Sequence, residues 1–280
     1  MREGRPRLWR NWRVLVGGGL VLLLLVCAVF APQIAPYDPL DQDLAAQQVP
    51  PAWSFAPDAH TLGTDSLGRD VLSRLIWGSR VALTVAVVAG SLTALLGTLL
   101  GLAAGFFGGV MDAVISRAVD VWSSFPPVLF AIILVALLGT GLWSVVVAIV
   151  VIDWTRFCRV VRAETLKQRT LDYVTAAVVA GLSPRRILWR EVLPNLLPLV
   201  LVLLTLEMGI AVVVEAILSF VGLSISSDVP SWGGMIAEGR EIVHEAPWVL
   251  TGAMLALLAT VLGFNLLGDG LKAELDPVLR

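Results

Sequence analysis

Three carboxylates stand where carboxylates are costly. Glu207, Glu215 and Asp153 fall inside long apolar runs, and an ionised carboxyl at a bilayer centre costs on the order of 3 kcal/mol. Groups so placed either line a polar pathway and carry protons, or stay buried and hydrogen-bond neighbouring helices. Glu215 follows Glu207 by two helical turns on nearly the same face. For Glu207 and Asp153 the spacing leaves both roles open. No other catalytic set is visible. The chain has no Gly-x4-Gly-Lys-Ser/Thr loop to cradle nucleotide phosphates, so any ATP must be hydrolysed by another polypeptide. His60 and His244 are isolated and no Cys/His cluster has metal-site spacing, so no metal is expected. Cys27 and Cys158 lie in separate apolar runs, which argues against a disulfide framework.

The elements that hold these groups follow from composition. With 57% hydrophobic and 15% charged residues and a mean hydropathy of +0.85, a chain of this length needs lipid as part of its solvent. A spanning helix takes about 20 apolar residues. Six runs fit: 13–31, 81–105, 119–140, 143–161, 196–221 and 248–268. Pro126-Pro127 should kink the third, and residues 110–122 could lie as an amphipathic piece at the interface. The sequence therefore reads as an all-α polytopic membrane protein with a single transmembrane domain over 1–280. Its parts are an anchor helix at 13–31, an external loop at 32–80 and core helices over 81–270.

Charge sets the orientation. Arg2, Arg5, Arg7, Arg10 and Arg13 precede the first run and place the N-terminus in the cytosol. Six crossings return the C-terminus to that side. They also put 162–195 in the cytosol, with Arg162, Lys167, Arg169, Arg185, Arg186 and Arg190. The opposite side receives the Asp-rich 32–80 and the Glu-bearing 222–247. The net charge of -2 points to no nucleic-acid partner. A basic start before an apolar run also resembles a signal peptide, but the long run, the poor cleavage site at Ala28–Ala31 and five later spans favour an uncleaved anchor.

The cytosolic loop is a basic island between apolar spans. Residues 164–180 favour a helix, Gly181 suits the left-handed turn that ends it, Ser183 suits an N-cap and Pro184 the first turn of a second short helix. Ala176 and Ala177 are small enough to admit a partner surface, while Arg185 and Arg186 can pair with acidic groups or anionic headgroups. In the second span, Gly97, Gly101 and Gly105 form a stripe against which another helix can pack. In 62–80, Asp65/Arg69 and Asp70/Arg74 are spaced i,i+4, so a short helix there would carry two weak surface ion pairs.

This loop resembles the coupling segment of ABC-transporter permeases: Ala176, Ala177, Gly181, Leu193 and Pro194 match its pattern. Thr175 stands where the family has Glu, and Glu191 at an apolar position. Three more stretches resemble the dipeptide/oligopeptide/nickel class, and the first of them marks the second of its two permease types. They are Leu62 to Arg80, Glu215 to Leu223 with Pro230-Ser-Trp-Gly233, and Phe264 to Pro277. The resemblance implies import, with Thr175, Ala176, Ala177, Gly181, Arg185, Arg186, Leu193 and Pro194 contacting an ATPase. It implies a homologous permease as partner, two ATPase subunits that bind ATP and Mg, and an external solute-binding protein in a prokaryotic cytoplasmic membrane. Peptides or nickel complexes would be the cargo. Glu215 belongs to the second of those stretches, which favours a structural role for it. The rival readings are a proton-coupled secondary transporter using the three carboxylates, and a membrane scaffold that moves no solute.

Overall fold

The computed structural model describes residues 11–52, 60–224 and 229–275. The basic Arg2, Arg5, Arg7 and Arg10, the segment 53–59 with Asp58, and the last residues of the chain with Pro277 lie outside the described residues. Those described form eleven α-helices: α1 (Trp12–Val29), α2 (Ala31–Ile34), α3 (Val71–Phe107), α4 (Gly109–Ser123), α5 (Pro127–Leu138), α6 (Leu142–Gln168), α7 (Asp172–Val179), α8 (Pro184–Ile187), α9 (Leu193–Phe220), α10 (Trp232–Glu241) and α11 (Pro247–Leu275).

Each of the six expected runs coincides with helix, but the helices differ in kind. By length and apolarity alone, α1, α3, α8 continuing through α9, and α11 can each cross a membrane, and α4 with α5 adds a fifth crossing if the two are one bent span. The bend is 89°, because Pro127 at the first turn of α5 holds Pro126 in extended backbone. The expected span 119–140 is thus two helices that begin at Gly109, and the second span starts at Val71, ten residues before expected. The remaining helix, α6, is less apolar because Asp153, Arg156, Arg159 and Arg162 lie along it from its middle onward.

Packing shows that α6 nevertheless lies along α3. A Cβ on Gly97 would lie 2.6 Å from Phe157 Cβ, on Gly101 2.7 Å from the Cys158 carbonyl oxygen, and on Gly105 2.7 Å from Thr165 Cβ. Residue numbers rise together, so α3 and α6 are parallel. The chain must therefore return between them, and the bent α4–α5 pair is that return. The glycine stripe packs a helix, as expected, with no room for a side chain at any of the three positions. On the other side, α1 lies antiparallel to α11, where a Cβ on Gly17 would meet the Leu267 backbone nitrogen at 2.5 Å.

Three of the four apolar clusters among the described residues place the functional segments. One, with Val71, Trp232, Met235, Val249 and Phe264, sits under α10. A second joins α3, α5, α6 and α9 through Val85, Val135, Ile149 and Ala211. The third, with Phe157, Val161, Val174, Ile187, Val192 and Leu196, lies beneath α7 and α8.

The segment at the α10 end corrects one expectation. Residues 62–70 form a turn closed by a Thr64–Asp70 bridge, and their charges are buried. Asp65 accepts from Arg69 Nε at 2.8 Å and from Arg74; Glu238 on α10 accepts from Arg69 Nη2 at 2.9 Å and from Arg74. The Asp70 carboxylate forms no ion pair with the Arg74 guanidinium. It caps α3 by accepting from the Ser73 amide at 2.7 Å, and His60 Nδ1 lies 3.0 Å from its Oδ1. The expected Asp65–Arg69 pair forms, but buried; the contacts to Glu238 make it part of a clasp between the segment leading into α3 and α10, too far apart in sequence for i,i+4 spacing to reveal.

Candidate coupling knuckle and charged stripe

The basic loop folds as a compact knuckle. Helix α6 stops at Gln168, so the expected helix over 164–180 is broken at 169–171 and restarts as α7 at Asp172. Thr170 Oγ1 donates to the Lys167 carbonyl at 2.8 Å and helps close that break. At the far end of α7, Gly181 has φ +76°. Its amide donates to the Val178 carbonyl at 3.0 Å, and the Leu182 amide to the Ala177 carbonyl at 3.1 Å. This pair of bonds is the Schellman ending, in which glycine takes the left-handed position. Pro184 then opens α8, as expected. Ser183 precedes it in extended backbone but makes no side-chain cap bond. The second piece is not a separate short helix: α8 passes through a π-type turn, Leu188–Val192, directly into α9.

The residues singled out in the sequence divide by burial. Ala177 is buried with Val174, Ile187, Leu188 and Val192, anchoring the knuckle to α6 and α9. Thr175, Ala176, Gly181, Arg185, Arg186 and Pro194 are exposed, and Leu193 is half-buried. Ala176 and Ala177 therefore point to different sides, and only Ala176 is open to a partner. Sequence reasoning missed Val179, which is 83% exposed, together with Val178 and Trp189. They put apolar surface beside Arg185, Arg186 and Arg190. The signal was available: apolar residues in a polar loop, at positions the helix period assigns to the outer face.

Arginines of α6 form a charged stripe rising from the knuckle. Arg162 Nη2 donates to Asp112 of α4 at 2.8 Å. Arg159 lies 3.8 Å from Asp120 and donates to Ser123 Oγ at 3.2 Å. Arg156 donates to Glu207 of α9, whose side chain is 1% exposed while that of Arg156 is 50% exposed. The i,i+3 spacing of the three arginines keeps them on one side of α6. Asp153, a turn before Arg156, lies within electrostatic reach of both Arg156 and Glu207.

The three carboxylates thus separate. Glu215 is buried and accepts from Ser219 Oγ at 2.6 Å and Ser224 Oγ at 3.3 Å, which ties the outer end of α9 to the turn after it. Those bonds suit packing between neighbouring segments. Glu207 and Asp153 belong with Arg156 instead, a residue the sequence reading did not weigh. Its signal was a cation within an apolar run that also holds an anion.

Comparison with known proteins fits this arrangement. Residues 97–280 match the family described as "Binding-protein-dependent transport system inner membrane component", and residues 1–51 match the "N-terminal TM domain of oligopeptide transport permease C". The chain is 40% identical over 266 residues to the di/tripeptide transport system permease protein DppC of Pseudomonas aeruginosa, covering 94% of this chain and 88% of the relative. It is 36% identical to the dipeptide transport system permease protein DppC of Haemophilus influenzae, covering 97% and 92%. It is 33% identical to the oligopeptide transport system permease protein OppC of Bacillus subtilis, covering 100% and 90%. A chain of the MetNI methionine ABC transporter shares the fold, with a TM-score of 0.61 and 20% identity over 72% of this chain and 96% of that one. The chain belongs to the family of inner-membrane components of binding-protein-dependent transport systems, and is a non-catalytic, multi-pass permease of an ABC transporter.

Proposed function

We propose that this permease imports di- or oligopeptides, or similar small solutes, by alternating access. It would pair with a homologous permease, receive cargo from an external binding protein, and be driven by two ATPase subunits that bind ATP and Mg. The observation that carries the reading is the knuckle. Its inner side is locked into the core by Val174, Ala177, Ile187 and Val192, while its outer side presents Ala176, Val179, Arg185 and Arg186. A rigid body with an open apolar and basic face can transmit a push, because packed interiors move as units rather than deform. The direct link from α8 into α9 carries that push into a span. Peptide cargo is supported by the relatives' names and by identity across nearly the whole chain.

The experiment is uptake by the complete assembly in proteoliposomes. Peptide accumulation that requires ATP, the ATPase subunits and the binding protein supports the reading. Accumulation driven by a pH gradient without the ATPase contradicts it and favours proton coupling through the intramembrane carboxylates.

A further inference from the structure

Arg156 is held in an unusual position. It lies midway along α6, with about 21 Å of helix between it and Leu142 and about 18 Å between it and Gln168. Its partner Glu207 is midway along α9, so the pair sits at span depth and draws the guanidinium sideways. An arginine at that depth usually escapes by extending toward an interface; this one is tied to a carboxylate that is itself buried. A guanidinium carries five N–H donors. Among the described residues Glu207 alone accepts from Arg156, and half of the side chain is open.

An open guanidinium facing acyl chains is strongly disfavoured, so the open half faces water or protein. Arg159, one turn along the same side and 59% exposed, extends the cationic surface. Asp153 opposes it from the turn before. Glu207 and Asp153 offset the guanidinium's charge while leaving N–H donors open, so a further acceptor would be held loosely enough to leave again, which a translocation pathway requires.

We propose that Arg156, braced by Glu207, is a binding position for a carboxylate group of the cargo within the translocation pathway. Glu207 is a positioning residue: it aims the guanidinium and offsets part of its charge. The planar fork of arginine suits a carboxylate better than a lysine ammonium does. The assignment rests on the peptide-import reading above and adds to it which chemical group of the cargo this chain recognises.

The test uses the complete transporter in proteoliposomes, with trialanine and its C-terminal amide as probes and the binding protein saturated by each. Arg156→Gln should lower trialanine uptake about tenfold, the worth of one charge-assisted hydrogen bond. Amide uptake should fall less, so that the ratio of trialanine to amide uptake drops. Arg156→Lys should retain part of the preference. Equal loss for both probes overturns the assignment, as does dissociation of the second permease from purified Arg156→Gln complex. An effect seen in phosphatidylglycerol vesicles and absent in phosphatidylcholine vesicles overturns it in favour of a lipid headgroup. Wild-type vesicles that accumulate neither probe overturn the peptide reading as well, whereas wild-type uptake with an unchanged variant removes this assignment alone.

Discussion

Replacing Gly181 should separate ATP hydrolysis from transport, and the size of the effect follows from backbone geometry. A Cβ at this position meets nothing within 4 Å in this chain, but φ is +76°. The cost is therefore conformational rather than steric. A left-handed residue with a side chain costs about 1–2 kcal/mol, and a β-branched one sits at the upper end. That shifts the local equilibrium of the α7 ending about 5–30-fold away from its native turn. The two bonds that close the turn, from Gly181 to Val178 and from Leu182 to Ala177, weaken together, and the knuckle loses stiffness at its outer bend. Asparagine tolerates left-handed backbone, so ATP consumed per solute should rise in the order Gly181→Asn, Gly181→Ala, Gly181→Val. The assay is parallel measurement of hydrolysis and uptake in proteoliposomes. A valine variant that couples like the wild type would refute the lever. Equal damage from all three would show that partner contact, not backbone, matters there.

Other outcomes follow from the buried charges and close packing. Asp65→Asn should destabilise the chain by about 3 kcal/mol, because it removes the fully buried carboxylate and leaves two buried guanidiniums to share Glu238; Glu238→Gln should cost much less, since Glu238 is 33% exposed. Thermal melts in detergent compare them. Gly101→Leu should block folding or assembly, because its Cβ alone would come within 2.7 Å of the Cys158 carbonyl oxygen; membrane-inserted yield measures this. A double-mutant cycle on Asp112 and Arg162 should give a coupling near 1 kcal/mol, against almost none for the more exposed Asp120 and Arg159. Equal couplings would contradict the burial difference between the two pairs.

Apolar runs longer than a bilayer is thick located the helices, since nothing but a membrane span uses so many together. Gly97, Gly101 and Gly105 announced their neighbour because a four-residue period of glycine has few other uses in an apolar run. Gly181 and Pro184 marked the turn through backbone preferences that need no tertiary partner. What stayed hidden depends on distant pairing. Arg69 and Arg74 find Glu238 more than 160 residues away, so local spacing suggested weak surface pairs instead of a buried clasp. Arg156 finds Glu207 on another helix, which made Glu207 seem an isolated carboxylate. The break at 169–171 was missed because it carries no Gly or Pro, and Arg169 and Leu171 fit a helix by propensity.

The linkage itself is tested most directly by crosslinking from the knuckle. A cysteine at Val179, the most exposed of its apolar residues, should be captured by a short bifunctional reagent onto a nucleotide-hydrolysing subunit in intact membranes, with the yield changing between nucleotide-free and ATP-trapped states. Failure to capture any such subunit, in membranes that still take up solute at the wild-type rate, would contradict the account.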